Sequence, residues 1–95
     1  MSQDLIKMSP IKFEVMLGGM NFDAIKSLAV QIKEFIYDYA LKLPEERVIN
    51  NPIILDLERK QTKIINELMK RGYLTKENQA QFNDWLYKKN KKKYF

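Results

Sequence analysis

A chain of 95 residues, 45% hydrophobic and 31% charged, is the size and composition of one globular domain and excludes a disordered segment. With no cysteine and no histidine, it excludes disulfides, thiolate metal sites and the usual proton shuttle near neutral pH. The net charge is +5, yet residues 1–85 hold 12 basic and 12 acidic side chains, so the whole excess sits in Lys88, Lys89, Lys91, Lys92 and Lys93.

In chain order, residues 1–8 read as a frayed leader from which Leu5, Ile6 and Met8 can dock. This start lacks the basic residues and apolar run of a signal peptide, and no stretch is apolar for long enough to span a membrane, so a cytoplasmic protein is expected. In the next segment two periods compete. Ser9 as N-cap, Pro10 in the first turn and Gly18 past the end describe a short helix. Ile11, Phe13, Val15 and Leu17 also alternate with polar or flexible neighbours, as in a strand. The sequence holds no second good strand to pair with, which favours the helix; a strand would need a partner chain. Gly18 and Gly19 then form a turn.

The longest amphipathic stretch covers residues 21–43. Ile25, Leu28, Ala29, Ile32, Phe35, Ile36, Tyr39, Ala40 and Leu43 recur at steps of three and four, with Lys26, Gln31, Lys33, Glu34, Asp38 and Lys42 mostly opposite. Asn21 or Asp23 caps its start and Pro44 stops it. Residues 43–50 read as a helical turn opened by Pro44. Asn51 and Pro52 restart the chain as cap and first helical residue. Over residues 53–71 the apolar set is Ile54, Leu57, Ile64, Ile65, Leu68 and Met69, while Glu58, Arg59, Lys60, Thr62, Lys63, Glu67 and Lys70 are expected outside. Gly72 ends that helix, Tyr73 and Leu74 pack back, and Thr75 caps a last helix over about residues 76–90 with Phe82, Trp85 and Leu86 on its apolar face. Residues 91–95 are expected to fray. The predicted architecture is all-α: one domain over residues 1–95, a small bundle of three main helices plus one or two short helical turns.

The side chains available for chemistry are few. Serine nucleophiles would lack a histidine base, and Ser9 is better used as a cap. Glu34 with Asp38, and Glu45 with Glu46, are the adjacent carboxylates, but nothing in the sequence buries them, so a solvated face is expected. Gly18-Gly19 lacks the context of a phosphate loop. No cofactor, metal ligand set or catalytic residue is predicted.

The basic end is the leading functional signal. Lys88, Lys89, Lys91, Lys92 and Lys93 can neutralise phosphates, and Trp85 and Tyr87 can stack on exposed bases; a solubilising tail and an anionic membrane surface are the rival readings. A helix-turn-helix over residues 71–75, with Asn78, Gln79, Gln81 and Asn83 as base readers, has the right order, but its first helix is too long. Asn66 to Glu77 with Phe82 resembles the short C-terminal helical hairpin domains appended to many bacterial proteins; it departs at Asn78 to Gln81, where an acidic pair belongs, and the resemblance implies no function.

The expected function is therefore a non-enzymatic, helical interaction protein, an accessory subunit or modulator docking on a larger protein that handles nucleic acid. Ile54, Leu57, Ile64, Ile65, Leu68, Ile11, Phe13 and Val15 are the candidate protein interface. Direct, non-specific DNA or RNA binding through the lysine-rich end is the alternative. So small a core also favours a homodimer over a monomer.

Overall fold

Ser9 opens the first helix, α1 (Pro10–Gly18): its hydroxyl accepts from the Lys12 N–H at 3.2 Å, and Pro10 fills the first turn, where a missing donor costs nothing. The computed structural model describes residues 5, 7–48 and 50–94, and its remaining elements are α2 (Phe22–Lys42), the single turn α3 (Glu45–Val48), α4 (Pro52–Lys70) and α5 (Gln79–Tyr94). Among the described residues there is no strand, and the all-α small bundle is the fold. Residues 11–17 are helical. A strand would have put Ile11, Phe13, Val15 and Leu17 on one face; the helix separates them, burying Phe13 and Leu17 one turn apart and turning Ile11 and Val15 outward.

Asn21, not Asp23, caps α2, its side-chain oxygen accepting from the Ala24 N–H at 2.8 Å. Asp23 in the first turn and Lys42 in the last complement the helix dipole. Asn51 caps α4 by accepting from both Ile53 N–H (3.0 Å) and Ile54 N–H (3.1 Å). The helix α4 packs against α2 and against α1. It runs antiparallel to α2, since Gln61 reaches Ala29 while Arg71 reaches Met20. Ala29 is fully buried, and its small side chain lets the Gln61 amide donate to the Ala29 carbonyl at 3.2 Å.

After α4 the chain turns on Gly72, whose φ of +83° lies in the left-handed region. The Gly72 N–H donates to Met69 O (3.1 Å) and the Tyr73 N–H to Leu68 O (2.9 Å), the pair of bonds that closes a helix end with a left-handed residue. Leu74 packs back into the core; Tyr73 stays half-exposed and stacks on Phe22 with ring centroids 4.4 Å apart. The last helix begins later than its sequence suggests, at Gln79. Thr75 and Asn78 bond each other's backbone N–H (2.7 and 3.3 Å), which holds residues 76–78 as a turn in front of α5. Its backbone is helical to Tyr94.

The core joins Leu5, Phe13, Leu17, Ile25, Ala29, Ile32, Leu57, Ile64, Leu68 and Leu86 in one cluster. Leu5 and Met8 dock as anticipated from the leader, while Ile6 and residues 1–4 lie outside the described residues.

Candidate interaction surfaces

The two surfaces nominated from sequence fare differently. Of the protein-interface set, Phe13, Ile54, Leu57, Ile64 and Leu68 are spent on the chain's own core, and Ile65 packs partly against it. They are not a free docking face: the apolar stripe of α4 is covered by α2 and α1 of the same molecule. Ile11 and Val15 remain, 76% and 73% exposed on adjacent turns of α1. Beside α1 an open groove of about 380 Å³ is walled by Leu5, Met8, Met16, Met20, Ala24 and Leu28. Met16 ties this groove to α1.

At the basic end, α5 carries Trp85, Tyr87, Lys88 and Lys89 along one side of the bundle, packed against α2. The Trp85 ring is already engaged within the protein. Lys26 Nζ lies 4.6 Å from its centroid and Lys89 Nζ 5.7 Å, and the Phe82 ring stacks on it at 5.7 Å. Lys88 pairs with Asp84 one turn back at 3.0 Å, an exposed pair of small energetic weight. Tyr87 is 41% exposed. The side chains of Lys91, Lys92 and Lys93 lie outside the described residues, although the helical backbone passes through these positions. Of the amides weighed as base readers, Asn78 is committed to the Thr75 N–H, whereas Gln81 and Asn83 are exposed.

A larger groove, about 830 Å³, opens between α1 and α4 around Glu14, Gly18, Lys63, Asn66, Lys70 and Arg71. Its charges are largely paired: Lys63 with Glu14, and Arg71 with Glu67. Arg71 is a structural bolt. It donates to Met20 O at 2.6 Å and Leu17 O at 2.8 Å, capping the carbonyl end of α1 from the far end of α4. Among the described residues no three carboxylates gather closely enough to hold a metal ion. Among the described residues no helix is long and apolar enough to cross a membrane.

Several of these groups escaped the sequence. Lys60 was expected outside but is 1% exposed, bonded to Asp56. Its position, three after Leu57 and four before Ile64, lies on the buried stripe, a signal its charge obscured. Asn90, one turn past Leu86, is likewise buried, donating to Leu86 O while its own oxygen has no partner among the described residues. The role of Lys26 depends on α2 meeting α5, and nothing local announces it. Compared with known proteins, the chain matches no family model, no curated protein and no solved structure.

Proposed function

We propose that this chain is a non-enzymatic accessory subunit or modulator, cytoplasmic, that docks on a larger protein handling nucleic acid. The observation that carries the reading is the outer face of α1. A helix on a domain surface normally turns polar residues to water; α1 buries Phe13 and Leu17 and still presents Ile11 and Val15, a turn apart, on its other side. That spacing suits the apolar face of a partner helix. The methionine-walled groove alongside can repack around such a partner, because thioether side chains are flexible and polarisable. The basic end supplies steering toward an acidic or nucleic-acid-bound target.

The test is affinity purification of the wild type and of an Ile11→Asp/Val15→Asp double variant, each with nuclease. The expected result is a stoichiometric partner that survives nuclease with the wild type and is lost with the variant, whose melting temperature stays unchanged. A wild type that retains nothing, or equal capture by both, overturns the reading. Self-association is part of the proposal, and light scattering at micromolar concentration is expected to give the mass of a homodimer; a monomer mass removes that part.

A second reading, direct and non-specific binding of DNA or RNA, is favoured by the helical course of α5 to Tyr94, which aligns the basic positions along one rod. Truncation after Tyr87 should abolish a gel shift, and a shift that survives it ends this reading.

A further inference from the structure

We infer that the groove between α2 and α5 is a clamp for the phosphodiester backbone of nucleic acid, with Lys26 and Lys89 as its two cations. This rests on the second reading above and deepens it, because it takes half of the site from the electrically neutral part of the chain. The groove, about 370 Å³, is lined by Asp23, Lys26, Ser27, Val30, Trp85 and Lys89. The indole of Trp85 fixes both ammonium groups: Lys26 Nζ stands 4.6 Å from its centroid and 5.2 Å from that of Phe22, and Lys89 Nζ stands 5.7 Å from the indole centroid. Contact with a ring face restrains a lysine without neutralising it. No described carboxylate lies within ion-pairing distance of either lysine, although Lys60, Lys63, Arg71 and Lys88 each have one. Two cations that no described carboxylate pairs therefore line one groove that also offers the Ser27 hydroxyl, and an anion seated there would meet both.

The same geometry decides how nucleic acid is held. With ammonium groups against its ring and Phe82 stacked on it, Trp85 is a positioning residue for the lysines and not a platform for bases. Recognition then runs through phosphates, insensitive to sequence and steeply dependent on salt. The helical backbone places Lys92 and Lys93 about one turn beyond Lys89, so the clamp is the inner end of a basic track. Asp23 rims the groove from the first turn of α2 and opposes an incoming anion.

Fluorescence anisotropy with mixed-sequence duplex and single-stranded oligonucleotides, across a salt series, tests the assignment. Lys26→Gln and Lys89→Gln should each weaken duplex binding about threefold and reduce the salt slope by about 0.9. Asp23→Asn, which leaves both lysines in place, should strengthen binding, and Lys88→Gln should change it least. Thermal melts verify that each variant is folded. If the wild type binds and only substitutions at Lys91, Lys92 and Lys93 matter, the clamp is overturned while nucleic-acid binding by the tail stands. If the wild type binds neither oligonucleotide, both readings fall. Binding to phosphatidylserine vesicles with none to oligonucleotides reassigns the groove to a lipid surface and overturns the inference.

Discussion

The two halves of α2 carry the same apolar stripe and end in different surroundings. In the first half Ile25, Leu28, Ala29 and Ile32 are buried. In the second, Phe35, Ile36 and Tyr39 are only partly covered, and Leu41, off the stripe on the opposite side, is 74% exposed. The first half meets α4 at Ala29 and α5 at Lys26, and near its start Arg71 reaches across to bind the exit of α1. Periodicity thus chose which side of α2 faces inward, while packing decided how completely each stretch of that side is covered. The well-covered half should behave as the stability core, and the partly covered half should tolerate change.

The sharpest way to break this contrast is at Phe13, fully buried in the enclosed region. Phe13→Ala should cost about 3–5 kcal/mol, read by urea denaturation. A loss comparable to a surface substitution would mean that the enclosed region is not the stability core. Arg71→Met should come next, at about 2 kcal/mol, because it removes a charged donor from two carbonyls at the α1 terminus. Arg71→Lys should recover only part of this, since an ammonium lacks the planar fork that spans both oxygens. Gly72→Ala should cost about 1 kcal/mol, since a Cβ there meets nothing within 4 Å and only the left-handed φ of +83° resists it. At the weakly covered end, Leu41→Gln should stay within about 0.5 kcal/mol of wild type, which chemical denaturation can verify.

The smallest effect is a titration. Burial pushes the Tyr37 phenol above the ordinary tyrosine value, and the nearby Tyr87 adds to the shift. The fold favours the neutral phenol, so the stability it contributes is present below the unfolded tyrosine pKa and is lost as pH rises through the folded one. Ultraviolet titration should show one tyrosine ionising late, and Tyr87→Phe should lower it only partway because burial is the larger cause.

Much of the fold was legible beforehand because its signals are local. Ser9-Pro10 and Asn51-Pro52 pair a capping side chain with a residue whose missing donor suits a first turn, and Gly72 suits the residue that must turn left-handed. The start of α5 was misread because Thr75 and Asn78 satisfy each other across residues 76–78, so Thr75 closes a turn where a helix start was expected. The α4 part of the candidate interface is spent on the chain's own core, which no local signal announces. A hydrophobic stripe on α4 looks the same in the sequence whether the chain's own α2 or another protein covers it.

The sequence by itself determined that this chain is helical, where α1 and α4 start, and that its net positive charge is gathered at one end. Those properties depend on caps, turns and residues within a few positions of one another. Only the tertiary structure decided that Lys60 and Asn90 are buried, that Arg71 binds the exit of α1, and that Lys26 and Lys89 both lie against Trp85. These contacts join residues far apart in the chain, or depend on which faces the packed helices cover, and such facts exist only once α2, α4 and α5 have come together.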